Sequence, residues 1–357
     1  MMVAASGLRL LLQDSLTVRR ELVTSLHAEG TSCYRLLHGA TEGAPGVTLD
    51  RYGDLLLLQT FRDPPADPAA FLHEAQALVG ESLGLELHPM WHDRRKGARQ
   101  WPMQPPSLAV EHSAAEIGLD YLISIPNPGK DPGLFLDFRV ARRWLRKNSN
   151  GRDVLNVFSY TCGAGVAALA GGAKSVVNLD FSESALCIGT ANAELNGLDM
   201  ERWEAVRADA LPALRALGGL PAAQDRRRRG GVQGRGRGGQ RGRTAAAPQP
   251  KLRPRQFDLV VLDPPTWSTS TFGTVDIVRD YQSLFKPACL ATRPGGTVLA
   301  TNHVSTVDEA EWHDSLARCA AKAGRPLVDI QTLSPEHDFP MLVDGRSPLK
   351  LALAIVG

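Results

Sequence analysis

The sequence predicts an α/β fold in which a seven-stranded, mostly parallel sheet follows a small α+β N-terminal domain. Three observations predict it. From residue 154 onward short apolar runs alternate with amphipathic stretches, the pattern of a sheet with helices on both faces. Within that pattern, 154–180 reads as buried strand, small-residue loop, Ala/Gly-rich helix and second strand ending in Asp180. Before it, residues 31–125 carry short hairpin-like runs around Gly and Pro turns, which fit a separate small unit.

Taken in order, residues 13–28 fit one amphipathic helix, so 1–30 reads as an N-terminal helix. Strands are expected at 47–49 and 55–60, flanking the turn Asp50-Arg51-Tyr52-Gly53-Asp54. A helix near 68–79, a strand near 85–91 and a hairpin within 108–125 complete the small domain. The Pro/Gly-rich stretch 126–133 marks the junction to a second domain, 126–357. There, strands are expected at 154–158, 175–179, 203–207, 257–262, 296–301, 326–332 and 349–356. Helices are expected at 163–171, 182–195, 208–218, 275–291 and 307–323.

Composition bounds the classes. With 43% hydrophobic and 22% charged residues in 357, the chain is ordinary for a globular protein. No apolar run approaches the roughly 20 residues of a membrane span, so no membrane partner is expected. Asp14 and Glu21 break the acid-free pattern of a presequence, although Arg9, Arg19 and Arg20 leave an organelle presequence open. Five scattered cysteines without a CxxC suggest neither a disulfide framework nor a zinc site, and fit a reducing, cytoplasmic setting.

The net charge of +2 hides a split: 225–255 holds eleven of the 40 Lys+Arg and one of the 38 acids, so the remainder stands at −8. The Arg/Gly-rich insertion 221–255 is low-complexity and cannot bury a core, so disorder is expected there. Such a tract can contact phosphates without sequence preference, or be a passive surface loop.

Four features fall at expected strand ends. Gly163-Ala164-Gly165 in the loop 159–165 gives the sharp turn and close backbone approach that a nucleotide-like cofactor needs. Asp180 is placed to accept from ribose hydroxyls. Asp209 could accept from an adenine amino group or cap a helix. Asp263-Pro264-Pro265 forms a rigid corner whose two prolines have no N–H to compete for carbonyls, suited to holding a flat base edge at a reactive methyl group. A nicotinamide dinucleotide would explain the first two features; S-adenosylmethionine explains all four.

The segments LDFR, LNVFSYTCGAGVAAL, NLDFS, FDLVVLDPPTWS and HDFP resemble the bacterial 23S ribosomal RNA large-subunit methyltransferase I and K family, and YRLLHGATEGAPGVTLDRYGD resembles the central domain found there. The resemblance implies a Rossmann-like class I methyltransferase domain, S-adenosylmethionine as methyl donor and large-subunit rRNA as partner; a homodimer stays open. It implies that Phe135, Asp137 and Arg139 close over the cofactor. Ser159, Tyr160, Thr161 and Gly163 would line its methionine end with Gly165 in the same loop, Asp180 and Phe181 the ribose, and Asp209 the adenine. Asp263 with Pro264 and Pro265 would form the methyl-transfer site.

Two departures shape the expectation. Only one helix precedes residue 30, where methyltransferase I has an RNA-binding module, and the Arg/Gly insertion is a candidate substitute. Cytosine carbon 5 needs a thiolate nucleophile, but DPPTWSTSTFG and ATNHVSTVDE contain no cysteine, and Cys162 and Cys289 lie where packing is expected. A ring nitrogen such as guanine N7 is therefore the expected target, with Asn302 and His303 candidates for base contact. Carbon 5, and a catalytically silent RNA-binding assembly factor, stay as alternatives.

Overall fold

The computed structural model describes residues 5–61, 66–95, 97–98, 101–103, 112–125, 131–221, 251–265, 267–270, 273–342 and 344–357. The expected junction residues 126–130 and most of the Arg/Gly insertion, 222–250, lie outside the described residues.

The first half builds a four-stranded sheet. Helices α1 (Ala5–Val18) and α2 (Arg20–Ala28) precede strands β1 (Cys33–His38), β2 (Val47–Tyr52) and β3 (Leu55–Thr60), then α3 (Pro68–Leu83) and β4 (His88–Asp93). The order is β1-β2-β3-β4, with the first three antiparallel and β4 parallel to β3 across the α3 crossover. Helix α3 starts where it should, with Asp67 accepting from the Ala70 N–H at 2.9 Å and Pro68 in the first turn, and stops at left-handed Gly84.

The single helix expected at 13–28 is two. The break falls at Arg19 (φ −88°, ψ 0°), whose buried guanidinium pairs with Glu42 and bonds Ser15. Leu8, Leu12, Val23 and Leu26 then pack with Leu36, Leu49, Leu56, Leu58, Phe71 and Leu72. Helices α1 and α2 thus share a core with the small sheet.

A hairpin, β5 (His112–Glu116) and β6 (Leu119–Ile123), turns at Ile117-Gly118 and docks on the second half. Asn192 Oδ1 accepts the Leu122 N–H at 2.8 Å, and Ala114, Tyr121 and Ile123 pack with Val166 and Ala193. The same cluster takes in Tyr52, Leu57 and Met90 of the small sheet, so one apolar core runs across both halves.

The second half opens with a short 3-10 turn (Leu136–Phe138) and α4 (Arg139–Asn148). Then follow β7 (Asp153–Val157), α5 (Gly163–Ala170), β8 (Ser175–Asp180), α6 (Glu183–Leu195), β9 (Trp203–Arg207), α7 (Ala210–Leu217) and β10 (Phe257–Leu262). A small hairpin of β11 (Trp267–Ser270) and β12 (Gly273–Asp276) precedes α8 (Ile277–Leu290), β13 (Thr292–Asn302), α9 (Glu309–Lys322), β14 (Leu327–Thr332) and β15 (Lys350–Val356). The sheet order is β14-β15-β13-β10-β7-β8-β9, and β15 alone runs antiparallel to its neighbours. This is the doubly wound, Rossmann-like sheet expected, with α7, α8 and α9 packed on one face and α4 and α5 on the other. The β11–β12 hairpin has no counterpart in the expectation. Among the described residues no helix is long and apolar enough to cross a membrane.

Helix α4 ties the halves together. Arg139, fully buried, donates to Glu336 and Asp338 at 2.6 Å each and to the Cys33 carbonyl at 3.1 Å. Arg142 pairs with Glu116 of β5, and Arg143 with Glu29 and Glu336. Asp338 also accepts the backbone N–H of Arg35 at 3.1 Å. The loop carrying Glu336 and Asp338 is thus held to α4 and to β1 at once.

Candidate functional site

The carboxyl ends of β7, β8, β10 and β13 sit side by side, the position where open α/β sheets bind ligands. After β7, the chain turns through three left-handed, non-glycine residues, Phe158 (φ 60°), Tyr160 (φ 48°) and Cys162 (φ 59°). Each costs about 1–2 kcal/mol, so the conformation must be imposed from outside. The Ser159 N–H donates to the Leu179 carbonyl at 3.1 Å, the Tyr160 N–H to Asp180 Oδ2 at 2.9 Å, and the Thr161 hydroxyl to the Gly133 carbonyl.

Asp180 closes β8. Its Oδ2 takes the Tyr160 N–H and its Oδ1 the Ser182 N–H at 2.9 Å, so one carboxylate fixes both loops. Burial pushes its pKa up, and the N–H groups of Ser182, Tyr160 and Phe181 oppose that rise. The Phe181 ring beside it is 70% exposed, an apolar face next to a hydroxyl-accepting carboxylate. Phe135 lies across the loop with its ring 5.4 Å from that of Tyr160. The Asp180 carboxylate and the exposed aromatic faces of Phe181 and Phe135 fit an adenosine bearing a polar tail.

Gly163 and Gly165 have different tasks. A Cβ at Gly163 would meet Leu134 Cδ1 at 3.2 Å, whereas one at Gly165 would lie 2.1 Å from Asn178 Oδ1. Gly165 lets α5 lie against β8, and so acts through packing. Asp209 caps α7 through the Leu211 N–H at 3.3 Å, so the helix-cap alternative is realised in its geometry.

Asp263 follows β10, with Pro264 buried and Pro265 exposed behind it. Its Oδ1 accepts from the Thr301 hydroxyl and from His303 Nε2 at 2.8 Å. Burial works against the His303 charge, but the Asp263 carboxylate and its hydrogen bond outweigh it and hold the imidazole above its ordinary pKa. Asp137, half-buried in the 3-10 turn, interacts with both His303 and Asp263; desolvation raises its carboxyl, with His303 and Arg35 opposing. The resemblance implies Asp137 at the cofactor lip and Asp263 at the methyl-transfer site; in the structure the two carboxylates lie close enough to interact. His303 was singled out for base contact, but its bond to Asp263 was not foreseen, nor was Thr301. The alternation of Thr301 and His303 on one side of a strand end was the available signal.

One assignment is corrected. Arg139 does not reach toward this site, because its guanidinium is fully engaged by Glu336, Asp338 and the Cys33 carbonyl. The thiol questions resolve by burial. Cys162 is buried, with its thiol pushed up to about 12 by burial, and Cys289 within α8 is held at about 12 for the same reason. Cys33 and Cys319 are buried as well, and Cys187 is exposed on α6.

Residues 75–220 match the family model described as S-adenosylmethionine-dependent methyltransferase. The chain is 30% identical to the ribosomal RNA large subunit methyltransferase I of Aeromonas hydrophila over 322 residues, covering 88% of this chain and 71% of that protein. It is 29% identical to the enzyme of that name from Escherichia coli, with 88% and 72% covered. Among solved structures, it superposes on a methyltransferase complexed with SAH at a TM-score of 0.75 and 21% identity, covering 99% of this chain and 83% of that one. An Agrobacterium tumefaciens SAM-dependent methyltransferase gives a TM-score of 0.61 at 17% identity, with 87% and 88% covered.

Proposed function

Because the chain belongs to the ribosomal RNA large subunit methyltransferase I family of S-adenosylmethionine-dependent methyltransferases, we propose that it methylates a base of large-subunit rRNA at nitrogen. The observation that carries the choice of nitrogen is the cluster at the ends of β10 and β13, where Asp263, Thr301 and His303 are bonded together and no cysteine takes part. Attack on cytosine carbon 6, the step that precedes methylation at carbon 5, has no thiolate there to make it.

S-adenosylmethionine supplies an electrophilic methyl group on sulfur. The residues suited to hold it are Asp180 and Phe181 at the ribose, Asp209 at the adenine, and the loop residues Ser159, Tyr160, Thr161 and Gly163 at the methionine end. Phe135 and Asp137 form the lip. Asp263, on its rigid Pro264-Pro265 corner, orients the base. Positioning of donor and acceptor in line, with water kept out, accounts for much of the rate in such transfers.

Two kinds of nitrogen satisfy this reading. Guanine N7 offers a free lone pair and needs only placement. An amino or imino nitrogen must also give up a proton.

Titration with S-adenosylmethionine, followed by methyl transfer to deproteinised large-subunit rRNA, tests the proposal. Cofactor binding and transfer that disappears in Asp263→Ala are expected. Tight binding of NAD in place of S-adenosylmethionine, or cofactor binding with no transfer to rRNA, would overturn it; the second result would identify an RNA-binding assembly factor.

A further inference from the structure

The turn that carries His303 is held by a buried charge. Lys350 opens β15 directly opposite Asn302, the last residue of β13. Its side chain is buried, yet it ends in an ammonium that bonds only main-chain carbonyls, Val304 at 2.9 Å and Ser347 at 3.3 Å. Among the described residues no carboxylate pairs with it; Glu309 and Asp308, at the N-terminal end of α9, act only from a distance. Taking an ammonium out of water costs free energy, and a methionine of similar length would fill the same space without that cost. What the charge gives in return is its hold on the turn.

Three hydrogen bonds define that turn. Asn302 Oδ1 accepts the Val304 N–H at 2.9 Å, the Val307 N–H donates to the Val304 carbonyl at 3.1 Å, and Lys350 Nζ donates to the same carbonyl. Both main-chain polar groups of Val304 are therefore fixed. His303 stands between Asn302 and Val304, with its Nε2 2.8 Å from Asp263 Oδ1. The second bond of Nζ reaches Ser347, later in the segment whose Asp338 is held by Arg139 and by the Arg35 N–H. One ammonium thus joins the turn after β13 to a segment anchored on α4 and β1.

We propose that Lys350 is a positioning residue for methyl transfer: by holding the Val304 carbonyl it sets the turn 302–304, and with it Asn302 and His303, against Asp263. The inference rests on the reading that places methyl transfer at Asp263. It is independent of which atom of the base accepts the methyl group.

Position and charge have opposite signs at His303. Asp263 at the end of β10 and Asp137 in the 3-10 turn favour the imidazolium, while Lys350 opposes it. Burial lowers the pKa of Lys350 itself; Glu309 and Asp308 oppose that fall and Arg346 adds to it. A Lys350 that acted as a charge alone would, on removal, let the His303 midpoint rise. A Lys350 that holds the turn would, on removal, let the ring leave Asp263, and the midpoint falls.

The test uses the full-length protein, tritiated S-adenosylmethionine and an unmodified large-subunit rRNA transcript, and counts total methyl transfer whatever the product nucleoside. In Lys350→Met, kcat falls by about 10²-fold, the KM for S-adenosylmethionine is unchanged, and the urea midpoint is unchanged or higher. The His303 imidazole, followed by NMR in the free protein, titrates at lower pH than in the wild type. Lys350→Gln keeps a shorter, neutral donor, so its loss of kcat and its shift are smaller; it carries the test should Lys350→Met fail to fold. Wild-type kcat in Lys350→Met, or in Lys350→Gln where the first variant does not fold, overturns the inference. So does a His303 midpoint that rises, or a fall in kcat matched by a fall in cofactor affinity. Asp263→Ala, assayed alongside, separates the two readings. If it is inactive, the site at Asp263 stands whatever Lys350 does; if it is as active as wild type, both readings fall.

Discussion

Gly165→Ala puts one methyl group where the Asn178 side chain already fills the space. The added carbon would lie 2.1 Å from Asn178 Oδ1, 2.9 Å from its Cγ and 3.0 Å from its Nδ2. Ordinary contact requires Asn178 to move by about 1 Å, and close-packed interiors do not give that freely. Asn178 is buried in β8, and its Oδ1 accepts from Asn156 Nδ2 at 2.9 Å. Turning the amide over would set its own N–H group against the Asn156 donor. Overpacking costs about 1–3 kcal/mol, and weakening the buried Asn156–Asn178 bond about 1–3 kcal/mol more. The preference of a helix for Ala returns about 1 kcal/mol. The net is a loss of about 1–5 kcal/mol, centred near 3 kcal/mol, which is roughly 6–12 °C in the unfolding midpoint for a domain of this size. Calorimetry and urea unfolding measure it directly. In the Asn178→Ala background, where the obstructing amide is gone, the same methyl should cost nothing. A Gly165→Ala protein as stable as wild type, or a cost unchanged when Asn178 is removed, would refute the packing argument.

Three further outcomes follow from other parts of the molecule. Arg139→Met strands the buried Asp338 carboxylate and should cost about 3–5 kcal/mol in urea unfolding; a loss under 1 kcal/mol would show that the ion pairs with Glu336 and Asp338 contribute little. His38, buried beside Arg35, has its pKa lowered to about 4, first by burial and then by that guanidinium. Because the unfolded imidazole binds its proton near 6.5, His38 supports folding fully above that pH and loses its contribution as pH falls toward 4. His38→Gln should therefore flatten the acid side of the stability profile by up to about 3 kcal/mol, and an unchanged profile would contradict the burial. Deletion of 224–249 should weaken RNA binding and reduce its salt dependence without altering cofactor affinity; equal RNA affinity would reduce the insertion to a passive loop.

What the sequence reveals depends on how far apart the cooperating residues lie. Most of the seven strands were legible because they are short apolar runs closed by polar residues, and observed bounds such as Phe257–Leu262 coincide with the expected ones. The loop after β7 and Asp180 were legible because they are twenty residues apart on one crossover. Arg139 was misread because its partners, Glu336 and Asp338, lie far down the chain in a loop without periodicity. The break between α1 and α2 leaves no Gly or Pro signal. It follows from Arg19 folding inward onto Glu42, which is a tertiary event. His303 and Asp263 are forty residues apart on strands that become neighbours only in the β10–β13 pairing. His303 stood out as a residue, but its partner could not be read.

The three left-handed residues after β7 also say something about improvement by design. Phe158, Tyr160 and Cys162 hold backbone shapes that glycine adopts without penalty. A screen for heat resistance would be drawn to Tyr160→Gly or Cys162→Gly, each relieving backbone tension. Tyr160 carries the ring that meets Phe135, and Cys162 fills the space against which Gly189 is packed. The loop keeps side chains where the backbone alone would prefer none, so at Tyr160 and Cys162 the contacts those side chains make oppose the gain from relaxing the backbone.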